Sequence, residues 1–353
     1  MAYSIYLMDR ILITGSGGLV GCEAVQYFSP IAKTIIGIDN NSRGRWFGEQ
    51  GSVSASIAQN SRIYNYKHFS VDIRETARID DIVKSYLPNA IIHCAGQPSH
   101  EKSADIPMED FQINVVGTVN LLEAARKYTP ASPFIFVSTN KVYGDGPNSL
   151  PMIENENRFD IAFASIRFNR AFNGIDETMS VDQSTHSPFG AHKAAADLIV
   201  QEYGRYYGMN TVCFRCGCIT GPNHRGVEQH GFLSHLCKTA KSGEPYMIFG
   251  HKGKQVRDNI HVYDLINAFH YYLQDPTPAA VYNIGGGKEN SCSIREAILA
   301  IEKRINKPVN YHHAFARKGD HICYYTDYTK FKERYPNWQI THSLDEIYGE
   351  LTE

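Results

Sequence analysis

Apolar runs of strand length alternate with stretches of helical spacing over the first 215 residues. The runs lie at 10–14, 34–38, 66–71, 90–96, 134–138 and 211–215. Helical spacing follows several of them, for example over 108–128. Strands that alternate with helices pair in parallel, and helices cover both faces of their sheet. The pattern predicts an α/β fold of the Rossmann type, with a doubly wound parallel sheet at its centre.

Residues 145–186 interrupt this alternation because they are polar, aromatic and poorly periodic. A loop of this length within a compact enzyme is more often a functional lid than an unstructured segment. We therefore expect an NAD-binding Rossmann domain over 1–215 that contains a lid-like insertion. Residues 216–353 are predicted to form a smaller α+β lobe that mainly binds substrate, with some segments returning to the sheet.

Composition narrows the class of protein. A chain of 353 residues that is 42% hydrophobic can bury a large core, and a net charge of -2 argues against nucleic acid as the main partner. No apolar run approaches the ~18 residues of a membrane span, and the mixed N-terminus does not resemble a signal peptide. Eight scattered cysteines indicate reduced thiols of a cytoplasmic protein. Cys213, Cys216 and Cys218 lack the second ligand pair of a zinc site, so no metal is expected.

The turn between the first strand and the first helix carries glycines in G-x-x-G-x-x-G spacing from Gly15 to Gly21. Such glycines let the backbone approach a pyrophosphate, whose charge then lies at the helix N-terminus. Asp39 ends the second strand, 18 residues after Gly21, where a carboxylate can accept both ribose hydroxyls. The carboxylate repels a 2′-phosphate and favours NAD, while Arg43 and Arg45 nearby leave NADP as the alternative.

Several motifs, in this order, resemble those of extended short-chain dehydrogenases/reductases of the nucleotide-sugar epimerase and dehydratase group. They are the glycine turn, Asp39, Asp72-Ile73, His93-Cys94-Ala95-Gly96, Asn114, Ser138 to Gly144, Lys193 and Arg257-Asp258. The resemblance implies NAD as cofactor and a nucleotide-diphosphate sugar as substrate. The cofactor-binding residues that it implies are Gly15, Gly17, Gly18, Leu19, Val20, Gly21, Asp39, Asn40, Asp72, Ile73, Cys94, Ala95, Gly96, Gln97, Asn114, Ser138 and Lys193.

The stretch after Ser138 distinguishes between the epimerases and the dehydratases of this group. Dehydratases of this group carry Asp-Glu after the catalytic Thr, whereas Asn140 and Lys141 follow Thr139 here and cannot act as an acid–base pair. The stretch from Ser138 to Asp145 is instead similar to that of the CDP-paratose 2-epimerases. This implies NAD-dependent epimerisation, with a CDP-sugar favoured as substrate, through a transient keto sugar.

The same resemblance implies the residue roles. Thr139 would bond the reacting hydroxyl, and Lys193 would bind the nicotinamide ribose and lower the pKa of the acid–base. Arg257 would pair with the diphosphate. The residues implied to contact substrate are Thr139, Asn140, Lys141, Tyr143 and Arg257.

Phe189 stands where the group carries its catalytic Tyr, four residues before Lys193. Phenylalanine cannot ionise, so another group must handle the proton; His100 and His192 are the leading candidates, beside His186 and Cys94. Three alternatives stay open. They are a different nucleotide-sugar conversion (a 4-epimerase, a decarboxylase or an atypical dehydratase), a substitution engineered to block turnover, and a catalytically impaired binding protein.

The resemblance also implies a homodimer through helices near 108–128 and 189–207, or a homotetramer.

Overall fold

The computed structural model describes residues 8–162 and 173–353. Its strands are Met8–Thr14 (β1), Ala32–Ile38 (β2), Tyr66–Phe69 (β3), Ala90–His93 (β4), Phe134–Thr139 (β5), Met152–Glu154 (β6), Phe159–Ile161 (β7), Thr211–Cys216 (β8), Cys218–Thr220 (β9), Tyr246–Phe249 (β10), Val256–His261 (β11), Ala280–Ile284 (β12), Ser291–Ser293 (β13), Tyr311–Ala314 (β14) and Cys323–Tyr324 (β15).

The helices are Leu19–Phe28 (α1), Ser42–Gly51 (α2), Ser54–Asn60 (α3), Thr76–Tyr86 (α4), His100–Asp105 (α5), Pro107–Phe111 (α6), Gly117–Tyr128 (α7), Pro188–Tyr207 (α8), Phe232–Ser242 (α9), Val262–Gln274 (α10), Ile294–Ile305 (α11), Thr329–Arg334 (α12) and Leu344–Thr352 (α13). Among the described residues, no helix is both long enough and apolar enough to cross a membrane.

Seven parallel strands form the central sheet in the order β12-β8-β5-β4-β1-β2-β3. One apolar cluster packs α1 and α10 on one face of the sheet, through residues such as Phe28 and Phe269. A second cluster packs α4, α7 and α8 on the other face, through Ile79, Leu121 and Val200. The predicted Rossmann-type fold is thus confirmed. The carboxyl ends of the central strands meet at one edge, where α/β proteins bind their ligands.

Residues after 216 divide between the central sheet and a smaller layer. Strand β12 returns to the central sheet and pairs with β8. Strands β9, β11, β13 and β15 form a second sheet, and β10 pairs with β14. Helices α9, α11 and α13 share a separate apolar core around Leu236, Ile298 and Ile347. The smaller layer lies over the carboxyl edge of the central sheet through β9, which follows β8 directly.

The region predicted as a lid is only partly described, because 163–172 lie outside the described residues. The part before this gap forms the β6–β7 hairpin, which was not predicted. After the gap, the Ile175 amide donates to the Tyr325 carbonyl at 2.9 Å. The Asn283 side chain donates to the Ile175 carbonyl, also at 2.9 Å. These bonds attach the segment to Tyr325 in the C-terminal layer and to β12 in the central sheet.

The helix predicted over 108–128 is interrupted by a π-helical turn at Gln112–Val116. Asn114 within this turn is buried and donates to the Gln97 carbonyl at 3.2 Å and to Asp110 at 3.0 Å. Such turns insert one extra residue and re-aim a side chain, often beside a functional site. Hydrophobic spacing does not reveal this interruption, since the flanking segments α6 and α7 keep the same face buried.

Candidate active site

The glycine turn after β1 permits a close approach of backbones. Gly15 has φ +67°, and a Cβ there would lie 2.8 Å from the Ala95 amide nitrogen. A Cβ on Gly21 would lie 2.1 Å from the Gly15 carbonyl oxygen. Helix α1 begins at Leu19 without a side-chain cap, and Leu19, Val20 and Gly21 of its first turn line the cavity described below. The turn therefore fits a dinucleotide pyrophosphate.

Asp39 at the end of β2 is fixed by two backbone amides. Its Oδ2 accepts from Gly17 at 2.9 Å and its Oδ1 from Asn41 at 2.8 Å. Burial raises the pKa of Asp39, and these two hydrogen bonds oppose the rise. Arg45 is turned away toward Glu109, at 2.5 Å. The end of β2 therefore offers an oriented carboxylate to a ribose.

A cavity of about 400 Å³ lies at the carboxyl edge of the central sheet. A smaller one of about 90 Å³ adjoins it at the end of β2. The predicted residues that line the larger cavity are Gly15, Gly18, Leu19, Val20, Gly21, Cys94, Gly96, Gln97, His100, Asn114, Ser138, Thr139, Asn140, Lys141, Phe189, Lys193 and Arg257. Those that line the smaller cavity include Asp39, Asn40, Asp72, Ile73 and Ala95. The structure thus brings most of the predicted cofactor and substrate residues to one place.

Gly17 lies beside the cavities without lining either, and it acts through its bond to Asp39. Tyr143, predicted to contact substrate, is fully buried instead. Its hydroxyl donates to Asn283 at 2.7 Å and accepts from Arg215 at 3.1 Å. Burial raises the pKa of Tyr143 to about 12. Tyr143 therefore supports the wall of the site from behind.

Lys193 and Phe189 lie one helical turn apart on α8, which begins with Ser187 as cap and Pro188 in the first turn. The Lys193 ammonium donates to the Val137 carbonyl at 2.8 Å and lies 3.9 Å from the centre of the Phe136 ring. Burial lowers the pKa of Lys193 to about 8. The Phe189 ring lines the cavity beside it and supplies no polar atom.

The two candidate histidines lie in different surroundings. His192 is not part of the cavity lining, because its Nδ1 is held by Asp110 Oδ2 at 2.6 Å. His100, the first residue of α5, lines the cavity, and its Nε2 is buried without a hydrogen-bond partner. Burial, reinforced by the nearby Lys141 charge, lowers the pKa of His100 to about 4. His100 is therefore a neutral imidazole inside the cavity.

A cluster of charges lines the cavity close to His100. The Lys141 ammonium lies 2.7 Å from Asp320 Oδ1, and the Arg257 guanidinium lies 2.6 Å from the same oxygen. Burial opposes ionisation of Asp320, but Arg257 and Lys141 outweigh it and hold the pKa of this carboxyl well below its usual range. The cluster carries two positive charges for one negative charge, so it attracts an anionic ligand.

Thr139 and Ser138 end strand β5 at the cavity. Thr139 Oγ1 accepts from the Lys141 amide at 3.2 Å and caps the short helical turn Asn140–Tyr143. Ser138 donates to Asp197 at 2.6 Å, so its hydroxyl is already engaged. The proton of the Thr139 hydroxyl, in contrast, remains available to a ligand. Its contact with Asn140 Oδ1 is long, at 3.4 Å.

The prediction missed part of the cavity wall. Asp320 and Arg317 come from the C-terminal segment, and His230 comes from the loop after β9. The Arg317 guanidinium lies 3.6 Å from the centre of the Phe249 ring. These residues stand in irregular segments without periodicity, and the polar run from Arg317 to His321 was the available signal.

His261, His342 and Glu350 form a group that could be mistaken for a metal site. The Tyr263 amide donates to His261 Nδ1 at 3.1 Å, so the ring proton is on Nε2. That proton points to Glu350 at 3.0 Å. A neutral imidazole in this tautomer has no free lone pair for a metal. The group is therefore better described as a hydrogen-bonded cap of α10.

The fold and the cavity define a Rossmann-type, dinucleotide-binding enzyme. Residues 11–164 and 169–285 match the NAD dependent epimerase/dehydratase family, and the chain belongs to it. NAD is the cofactor, as the sequence predicted, and the substrates of the family are nucleotide sugars.

Two relatives illustrate the breadth of the family. The chain is 32% identical to the CDP-paratose 2-epimerase of Salmonella typhi over 343 residues, which cover 95% of this chain and 94% of that protein. It is also 32% identical to a dTDP-glucose 4,6-dehydratase of Salmonella typhimurium over 289 residues, covering 79% and 73% of the two chains. Sequence identity alone therefore does not separate the two reactions.

Solved structures show the same fold. The UDP-glucose 4-epimerase of Thermotoga maritima with UDP-glucose superposes with a TM-score of 0.77 at 25% identity, covering 97% of both chains. A dTDP-glucose 4,6-dehydratase from Bacillus anthracis in complex with NAD gives a TM-score of 0.75 at 23% identity, covering 98% of this chain and 95% of that one.

Proposed function

We propose that the protein epimerises a CDP-activated sugar at carbon 2 through a bound keto sugar. The observation that carries the proposal is the turn after Thr139. It places an amide, Asn140, and an ion-paired ammonium, Lys141, where a dehydratase needs an acid and a base. The similarity to a CDP-paratose 2-epimerase over nearly the whole chain supports the same reaction.

The proposal assigns a role to each of the residues that line the cavity. The glycine turn and Asp39 hold the cofactor, and Lys193 reaches the site beneath it from α8. Held by the glycine turn and Asp39, NAD would supply reversible hydride transfer at the sugar carbon. Thr139 orients the reacting hydroxyl at the end of β5. Arg257 pairs with the diphosphate and shares its charge between that group and Asp320.

His100 takes the hydroxyl proton in this proposal. The residue lines the cavity, and burial keeps its imidazole neutral at pH 7, so one ring nitrogen carries a lone pair. As the hydride leaves carbon, the hydroxyl proton moves to the imidazole and the carbon–oxygen double bond forms. The reverse transfer restores the hydroxyl and the neutral imidazole, so the protein ends in the state in which it began. His192 is a weaker candidate because Asp110 already holds it.

The reaction is tested with purified protein and CDP-, UDP- and dTDP-sugars in deuterated water, followed by NMR. We expect slow interconversion of CDP-sugar epimers without deuterium at carbon 2. Deuterium at the epimerised carbon would contradict direct hydride return and indicate carbon deprotonation. Epimerisation at carbon 4 instead would favour the second candidate, a 4-epimerase, which the fold of the Thermotoga maritima enzyme supports.

Phe189 specifically favours another candidate, a protein that binds NAD and a nucleotide sugar without turnover. It replaces the usual phenol by an apolar ring at the cavity wall. This candidate predicts retained NAD and tight CDP binding, with no conversion of any of the three sugars. The same NMR experiment distinguishes it, because NAD content is measured on the same sample.

A homodimer through the helical segments 108–128 and 189–207 is part of the proposal. These helices pack together and expose apolar side chains, with Met108, Leu198 and Tyr206 at 69%, 61% and 76% exposure. Analytical ultracentrifugation should show a dimer, and Leu198→Glu should shift it toward monomer. A monomeric wild type would contradict this part alone.

A further inference from the structure

Asp110 in α6 is a buried acidic residue that takes no part in the reaction proposed above. Its side chain is shielded from solvent and lines neither cavity. It accepts hydrogen bonds from Gln97 Nε2 at 2.9 Å, from Asn114 Nδ2 at 3.0 Å and from His192 Nδ1 at 2.6 Å. Burial raises the pKa of Asp110, and the bond with His192 is the largest of the contacts that oppose the rise. A buried carboxylate is costly unless such partners compensate for its lost hydration.

The two amide side chains that Asp110 holds, Gln97 and Asn114, both line the larger cavity. They are also bonded to each other. The Gln97 amide donates to Asn114 Oδ1 at 3.2 Å, and Asn114 Nδ2 donates to the Gln97 carbonyl at 3.2 Å. A Cβ on Gly96 would lie 2.7 Å from Asn114 Oδ1, so this oxygen lies close against the backbone of the cavity wall. A rotation of either amide would therefore change the wall.

Asp110 decides which way these two amides face, because a carboxylate accepts hydrogen bonds and cannot donate them. Each side-chain nitrogen already has two acceptors. For Asn114 they are Asp110 and the Gln97 carbonyl. For Gln97 they are Asp110 and the Ser99 carbonyl, the latter at 2.9 Å. The oxygen and nitrogen ends of an amide have nearly the same shape, so without this acceptor either amide could turn around.

His192 attaches α8 to the same carboxylate. It stands between Phe189 and Lys193, which both line the cavity, but it does not line the cavity itself. Its ring packs edge-on against Phe111, with the ring centres 5.4 Å apart. Through Asp110, His192 therefore connects α8 with the π-helical turn at 112–116.

We propose that Asp110 and His192 are positioning residues for NAD. The carboxylate keeps the two cavity amides in one orientation, and the imidazole keeps the carboxylate in place from α8. A reversed amide would present a nitrogen where the cofactor meets an oxygen, so NAD would dissociate faster. Groups that bind a ligand keep their geometry only when neighbouring hydrogen bonds fix them. The inference does not depend on which sugar reacts, because NAD is the cofactor of the family.

The test measures how fast bound NAD exchanges for labelled NAD in the wild type, Asp110→Leu, His192→Leu and His192→Asn. His192→Leu removes the donor to Asp110. His192→Asn keeps a donor, because the Asn amide nitrogen can take the place of the ring Nδ1. We expect exchange to accelerate by roughly 10- to 100-fold in Asp110→Leu and by roughly 10-fold in His192→Leu. His192→Asn should restore a rate close to that of the wild type.

His270→Leu is the matched control. His270 is also a half-buried helical histidine, and its Nδ1 is hydrogen-bonded to the Tyr27 hydroxyl at 2.8 Å. Neither residue of this pair lines the cavities. His270→Leu should lower the melting temperature by about as much as His192→Leu and leave NAD exchange as in the wild type.

The exchange rates and the melting temperatures together decide the proposal. A rate within about twofold of the wild type in His192→Leu would overturn it. So would equal acceleration in His192→Leu and His192→Asn, because the donor would then not matter. Acceleration in His270→Leu equal to that in His192→Leu would show general loosening of the fold and would also overturn it. The His192 side chain is 19% exposed, so these variants decide the question even if Asp110→Leu does not fold.

Discussion

The cofactor end of the cavity and its reacting end differ in how far apart in the chain their residues lie. The cofactor end is built mostly from the first βαβ unit, between β1 and the end of β2, and its fit depends on backbone geometry. The reacting end combines α5, the turn after β5, α8 and the C-terminal segment around Asp320. A backbone cradle tolerates little change in shape, whereas separate side chains can exchange roles. This difference explains how Phe189 can stand where the family carries a Tyr while the cofactor cradle keeps its motif.

The largest effect is expected at the cofactor end. Gly21→Ala places a methyl group 2.1 Å from the Gly15 carbonyl, where only backbone movement can relieve the overlap. Such overpacking costs about 3 kcal/mol or more and deforms the pyrophosphate turn. We expect loss of bound NAD and a lower melting temperature, measured by NAD release and calorimetry. Gly349→Ala, where nothing lies within 4 Å, is the control. NAD retained at the wild-type level in Gly21→Ala would show that the cradle is not rigid.

At the reacting end, His100→Ala should lower kcat by roughly 10²- to 10⁴-fold, the usual contribution of a general base. NAD content should stay unchanged, because His100 is outside the cofactor cradle. His192→Ala serves as the comparison, since it removes an imidazole outside the cavity lining. A larger loss of kcat in His192→Ala than in His100→Ala would reverse the assignment.

Phe189→Tyr also tests whether His100 handles the hydroxyl proton. If His100 handles the proton, a phenol at position 189 should leave kcat nearly unchanged or lower it, because it competes for the reacting hydroxyl. A rise in kcat by orders of magnitude would instead identify Phe189 as a crippling substitution. Turnover and the pH profile of both variants are measured on the same CDP-sugar.

Asp320→Asn tests the charge cluster that belongs to the reacting end. Removing the carboxylate leaves Lys141 and Arg257 buried without their partner, which costs roughly 3 kcal/mol in comparable pairs. We expect a lower free energy of unfolding in urea and a tighter interaction with CDP, because both cations are freed for the diphosphate. Asp9→Asn, at the exposed pair with Lys33, should leave the urea midpoint unchanged. An unchanged midpoint in Asp320→Asn would indicate that the cluster is solvated.

The last prediction concerns the pH dependence of stability and Lys193, which both ends share. Burial lowers its pKa from 10.5 in the unfolded chain to about 8 in the fold. Between these two values the unfolded chain binds the extra proton, so the contribution of Lys193 to stability rises with pH by up to ~3 kcal/mol. Lys193→Met should remove this rise relative to wild type. Urea unfolding of both proteins at several pH values from 7.5 to 10 gives the difference, and parallel curves would contradict it.

The sequence was sufficient to predict the cofactor and the class of fold. The motif from Gly15 to Gly21 and the carboxylate of Asp39 act within one βαβ unit, where neighbours in sequence are neighbours in space. The alternation of apolar strands with helical segments predicted the parallel sheet for the same reason. The predicted helix over 108–128 is present, but its π-helical turn was not predicted, because a hydrogen-bond shift of one residue leaves the apolar spacing nearly unchanged.

What only the tertiary structure decided lies at the reacting end. Sequence spacing made His100 and His192 equal candidates, yet the fold holds His192 on Asp110 and leaves His100 facing the cavity. The Lys141–Asp320 pair joins residues 179 positions apart. Contacts of this separation depend on how the layers pack and leave no periodic signal in the chain. The sequence therefore determined the cofactor-binding motif, while the packing of the C-terminal layer on the sheet edge decided which side chains line the reacting end of the cavity.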